Sequence, residues 1–121
     1  MKVFIVEDEK LLIQAIQRKL AKAGIESDYS ELGFEAIEKL LKMKVLPDVI
    51  WLDYYLPDIN GIEFIKLVKE NDKLKNLNIV VVSNSANDEN VDVIMALGAK
   101  KYIIKAEHTM EDIIDTIKNL N

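Results

Sequence analysis

Cysteine is absent from this 121-residue chain, which excludes disulfides, thiolate zinc sites and a cysteine nucleophile. Long apolar runs are absent as well, and no stretch approaches the roughly 20 residues needed to cross a bilayer. The run Val3-Phe4-Ile5-Val6 behind Met1 is too short for a signal-peptide core and is followed by acids. A cytoplasmic location and no membrane partner are therefore the expectation. Positive charge is not in excess either: 16 basic residues face 21 acidic ones, a net charge of -5, which argues against direct nucleic-acid binding. There is no GxxxxGK[ST] loop and no GxGxxG, so nothing cradles a whole nucleotide. No repeat, low-complexity tract or linker interrupts the chain, and residues 1–121 read as one domain.

What is present is a set of short, continuous apolar runs rich in β-branched residues: Val3 to Val6, Val49 to Leu52, Ile79 to Val82, and Tyr102 to Ile104. Such runs predict strands buried on both faces, as in a parallel sheet. A more polar strand over Glu26 to Ser30 suits a sheet edge. Helical spacing appears between them. Leu12, Ala15, Ile16 and Leu20 precede Gly24 at a C-terminal cap; Ala36, Ile37, Leu40 and Leu41 mark a second helix. Ile62, Ile65 and Val68 mark a third, and Val91, Ile94, Met95 and Leu97 before Gly98 a fourth. Thr109 and Asp112 open a fifth in the manner of a capping box, continued by Ile113, Ile114, Ile117 and Leu120. Five alternating β-α units in this length predict a doubly wound α/β sandwich with right-handed crossovers.

In such sheets ligands bind at the carboxyl ends of the strands. The residues expected there are Glu7 and Asp8 after the first strand, Asp53 at the end of the third, Ser83 after the fourth and Lys105 after the fifth. Singly, each has an ordinary explanation. Asp8 would be a helix cap, Ser83 a turn residue and Lys105 a solvated charge. Asp53 is harder to dismiss, because it ends the most apolar strand. Together they make a chemical set. Clustered carboxylates call for a cation, and oxygen ligands alone suit a hard ion such as Mg²⁺. A carboxylate can act as a nucleophile and form an aspartyl phosphate, with an ammonium and a hydroxyl to stabilise the phosphoryl oxygens.

These residues resemble the receiver domains of two-component response regulators, the CheY-like superfamily, along the whole chain. The resemblance is carried by Glu7-Asp8, Ile50-Trp51-Leu52-Asp53, Leu56-Pro57 with Gly61, Ser83, Gly98-Ala99, Tyr102 and Lys105. Their spacings agree: 45 residues from Asp8 to Asp53, 30 to Ser83 and 22 to Lys105. It implies a flavodoxin-like sheet of order 2-1-3-4-5 with helices on both faces. It implies Asp53 as phosphoacceptor, helped by Lys105 and Ser83. Asp8 and Asp53 would hold Mg²⁺ or Mn²⁺ with the Tyr55 backbone carbonyl, and Glu7 through water. Ser83 and Tyr102 would form the switch pair. The phosphodonor would be a histidine kinase or phosphotransfer protein, and the chemistry self-phosphorylation and self-dephosphorylation rather than enzymatic turnover. Positions such as Tyr55 and Ser85 would set the hydrolysis rate, with bulky Tyr55 hindering the attacking water.

Two positions depart from the family pattern. Ala106 stands where proline usually follows the lysine, so no cis X-Pro bond can form there. Asn84 stands where a small residue usually follows the switch hydroxyl. They keep open an alternative, a pseudo-receiver that binds partners without phosphorylation. A second alternative, a Mg-dependent phosphatase like the haloacid dehalogenases, would need an acid two residues after the nucleophile, where Tyr55 stands. The lone His108 reads as a loop residue, Trp51 as core, and Lys100 and Lys101 as solvated; Tyr54 and Tyr55 are placed to cover the acceptor partly. Of Leu11 and Leu12, one is expected to be exposed, either as an ordinary surface leucine or as a point where a kinase helix docks. The chain ends soon after the fifth helix, which leaves no room for an output domain and fits either a stand-alone regulator or a fragment.

Overall fold

The computed structural model describes residues 1–84 and 88–120. Along the chain run β1 (Lys2–Val6), α1 (Lys10–Lys22), β2 (Glu26–Ser30), α2 (Gly33–Lys42), β3 (Val49–Asp53) and α3 (Gly61–Glu70). They are followed by β4 (Asn78–Ser83), α4 (Asp88–Ala96), β5 (Lys101–Ile104), a 3₁₀ turn (Lys105–Glu107) and α5 (Met110–Lys118). The five strands form one parallel sheet of order β2-β1-β3-β4-β5. The fold and strand order implied by the resemblance are thus observed. The edge strand over Glu26–Ser30 has the expected bounds, while β1, β3, β4 and β5 each extend by a residue or two.

The central strands are buried on both faces, so their side chains sort alternately into two cores. Phe4, Val6, Ile50, Leu52, Ile79 and Val81 pack under α2, α3 and α4, against residues such as Leu40, Phe64 and Ile94. Val3, Ile5, Trp51, Val80 and Val82 pack under α1 and α5, against Ile16, Leu20, Ile113 and Ile117. Trp51 is core, as expected. Four helical stripes differ in detail from their expected form. In α1 the buried residues are Ile13, Ile16 and Leu20, an i, i+3, i+7 stripe that leaves Leu12 and Ala15 at its margin and Leu11 75% exposed. In α3, Phe64 joins Ile65 and Val68 while Ile62 is only partly covered. Leu41 of α2 and Met95 of α4 face outward, because a helix packed on a single sheet buries only one narrow stripe.

Gly24 (φ 77) and Gly98 (φ 107) do end α1 and α4. In both, the glycine amide bonds three residues back into the helix while the next amide reaches the carbonyl one residue further: Gly24 to Ala21 and Ile25 to Leu20, Gly98 to Met95 and Ala99 to Ile94. This is the Schellman arrangement, which needs a left-handed residue at that point. At the other ends, α3 and α5 open with complete capping boxes, Asn60 with Glu63 and Thr109 with Asp112. The N-cap residues of α1 and α2, Glu9 and Leu32, give no side-chain cap.

Candidate active site

The carboxyl edge of the sheet gathers the polar residues. Glu7 follows β1 directly, and its amide donates to the Ser30 carbonyl (3.1 Å), extending the β1–β2 ladder by one step. That fixes Glu7 in the sheet rather than in a mobile loop, and it is only 2% exposed. A buried carboxylate needs partners, and Glu7 has three: Oε2 accepts from the amides of Asp8 (2.9 Å) and Glu9 (3.1 Å), and Oε1 from Lys105 Nζ (3.2 Å). Asp53, the last residue of β3, is 9% exposed and lies 3.6 Å from the same Lys105 Nζ. Asp8 is exposed at the mouth. One carboxylate oxygen from each of Glu7, Asp8 and Asp53 lies within 4.8 Å of the others.

Three acids around one lysine leave an excess of negative charge. Burial pushes the Asp53 carboxyl up to about 6, with the Glu7 charge adding, Lys105 opposing and Asp8 adding again. A hard cation placed among these oxygens would remove that penalty, and the donor set contains no soft ligand. The acids present therefore fit a Mg²⁺- or Mn²⁺-type ion.

Lys105 is not the strand end but opens the 3₁₀ turn beyond β5; the short turn carries its side chain back over the sheet edge to both acids. Ser83 ends β4 and is fully buried. Register pairs Val81 with Tyr102 and Ser83 with Ile104, so Ser83 and Tyr102 lie on one face of adjacent strands, two residues apart. Tyr102 is half-buried against the α2–α3–α4 core. Tyr54 is core rather than cover: it turns beneath α3, so close that a Cβ on Gly61 would stand 2.9 Å from its ring. Tyr55 is 59% exposed and meets the Tyr54 ring edge-on. Asn84, Ala106, His108, Lys100 and Lys101 are exposed, and the Lys105–Ala106 peptide is trans. Ser85 lies outside the described residues.

One residue beside the site escaped sequence reasoning. Asp58, in the loop after β3, accepts hydrogen bonds from the first two amides of α2, Gly33 and Phe34 (2.9 Å each). The available signal was negative: Glu31-Leu32 ahead of α2 offers no capping Ser, Thr, Asp or Asn. That points to a missing cap, not to an acceptor 25 residues away.

Residues 3–118 match the response regulator receiver domain family. The chain belongs to that family. Receivers are the signal-accepting domains of two-component systems, so the sheet order and the acidic edge take their place in a known architecture. The chain is 33% identical over 99% of its length to a protein-glutamate methylesterase/protein-glutamine glutaminase of Archaeoglobus fulgidus, of which it spans 34%. It is 30% identical to the polar-differentiation response regulator DivK of Brucella anthropi, covering 97% of this chain and 93% of that one. Among solved structures, the phosphorylated cyanobacterial phytochrome response regulator RcpA superposes with a TM-score of 0.82 at 31% identity, covering 97% of this chain and 88% of that one. Among the described residues, no helix is long and apolar enough to cross a membrane.

Proposed function

We propose that residues 1–121 act as one receiver that accepts a phosphoryl group on Asp53 from a histidine kinase or phosphotransfer protein and then switches a protein-binding surface. The carrying observation is the cluster of Glu7, Asp8 and Asp53 within 4.8 Å, opposed by Lys105 alone among the described residues. That RcpA is described as phosphorylated supports the reading.

The residues divide the work. With its carboxyl at about 6, Asp53 is ionised roughly ten to one at neutral pH and is available as a nucleophile. An Asp53 oxygen attacks phosphorus, the bond to the donor histidine nitrogen breaks, and the imidazole keeps the electron pair and takes a proton from solvent. Lys105, already 3.6 Å from Asp53, neutralises charge on the transferred group, and the Ser83 hydroxyl donates to one of its oxygens. Mg²⁺ or Mn²⁺ would be held by Asp8, Asp53 and the Tyr55 carbonyl, and when bound would supply positive charge for the phosphoryl oxygens. Both Glu7 oxygens are taken by two amides and Lys105, which suits a role through water. Ser83 and Tyr102, on one face of neighbouring strands, would relay the new charge to the surface as a population shift. Turnover of outside substrates is not part of this role, and a cytoplasmic setting suits the donor.

The test is intact mass after incubation with acetyl phosphate and MgCl₂. A single phosphoryl adduct that disappears with chelator and in Asp53→Ala is expected. No adduct under any condition would leave the phosphorylation-independent module instead.

A further inference from the structure

The loop between Asp53 and α3 is held at two points. At its base, the Gly61 amide donates to the Tyr54 carbonyl (2.7 Å), and Tyr55 forms an antiparallel bridge with Asn60. At its tip, Asp58 Oδ1 accepts from Gly33 N (2.9 Å) and Ile59 N (3.0 Å), while Oδ2 accepts from Phe34 N (2.9 Å). Beside these bonds Ile59 is buried against Gly33, where a Cβ would stand 2.4 Å from Ile59 Cγ1. A glycine is therefore required at the start of α2 for the loop to seat. Partial desolvation alone would raise the Asp58 carboxyl, but the amides of Phe34, Gly33, Asp58 itself and Ile59 hold it below the usual carboxylate range. Only residues 54–57 separate this anchor from Asp53, and Tyr55 lies among them.

We infer that Asp58 is a positioning residue: by bonding the first amides of α2 it holds the loop that carries the Tyr55 carbonyl, a ligand of the proposed ion site. The inference rests on the reading of that cluster as an ion site. Groups that orient metal ligands without touching the metal typically change affinity by about 10–100-fold when lost. The opposite end of the same helix supplies a control. Lys73 Nζ donates to the carbonyls of Leu41 (2.6 Å) and Met43 (2.7 Å), so its loss loosens α2 without touching the loop after β3.

The experiment is a titration of the intact chain with MgCl₂, followed by amide NMR shifts at Asp8 and Tyr55, with thermal unfolding measured alongside. Asp58→Ala is expected to weaken Mg²⁺ binding about tenfold. Gly33→Ala, which unseats Ile59 from the helix side, is expected to weaken it in the same direction. Asp58→Asn keeps one acceptor oxygen and should fall between. Lys73→Met should lower the melting temperature yet bind Mg²⁺ as the unaltered chain does. Wild-type affinity in both Asp58→Ala and Gly33→Ala, or equal weakening in Lys73→Met, overturns the inference. If Asp58→Ala does not fold, Asp58→Asn and Gly33→Ala decide the matter by the same criterion. If the unaltered chain shows no Mg²⁺ shifts, or Asp53→Asn leaves them unchanged, the ion site itself is refuted, and the role of Asp58 with it.

Discussion

Helices α3 and α5 carry their own starts, while α2 borrows its start from a distant loop and the turn leading into α1 hangs on a residue of the acid cluster. Asn60 and Thr109 each cap a helix through residues within one turn. The turn into α1 relies on Glu7, whose carboxylate also pairs with Lys105, and α2 relies on Asp58 in the loop after β3. A local cap stabilises one helix and nothing else. A borrowed cap ties the helix to the site, so damage to one reaches the other.

The largest contrast is expected at Glu7. Glu7→Ala leaves two amides and a partly buried lysine without their carboxylate, and breaking a buried ion pair costs about 3 kcal/mol at the lower end of the usual range. It should also bring the Asp53 carboxyl down from about 6, because the Glu7 charge is second only to burial in raising it. Urea unfolding and carboxyl-carbon NMR would read the two effects. A stability loss with no change at Asp53 would separate the helix start from the site.

Asp53 itself should act in the opposite sense. Its native carboxyl titrates at about 6 against an ordinary 3.8, so between those values the folded state binds the proton more tightly than the unfolded chain. The stability this provides is complete below about pH 4 and is lost as pH rises through about 6. The ceiling is about 3 kcal/mol, which the solvent-facing Asp8 side of the cluster reduces to about 1–2 kcal/mol. In chelator, Asp53→Asn should therefore be more stable than the unaltered chain at pH 7, with the gain vanishing near pH 4. Equal stability at both pH values would mean that Asp53 is not strained by its neighbours.

The smallest effects belong to the local caps. Thr109→Ala and Asn60→Ala should each cost about 1 kcal/mol of stability. Thr109→Ala should leave Mg²⁺ affinity unaltered, since the Thr109 side chain bonds within the first turn of α5 and not to the acids or the loop that carries Tyr55. A loss of affinity in Thr109→Ala would erase the distinction between local and borrowed caps.

The same distinction explains what could be read in the sequence. The strands were legible because burial on both faces leaves continuous β-branched runs, and Thr109 with Asp112 was legible because a capping box is written within four residues. Glu7, Asp8, Asp53, Ser83 and Lys105 could be named because each stands at the end of such a run. Ile13 and Phe64 were missed because a mixed apolar helix admits more than one stripe, and the sheet beneath decides which is buried. Asp58 was invisible for a different reason. Its partners are 24 and 25 residues away, and no local pattern announces a bond made only when the chain has folded.

The most direct test of the central claim is to locate the phosphoryl group. After incubation with acetyl phosphate and MgCl₂, borohydride reduction converts an aspartyl phosphate to homoserine, which peptide mass spectrometry can place. Homoserine at position 53 alone is the expected result; homoserine at position 8, or at neither, would contradict the assignment of Asp53 as the phosphoacceptor.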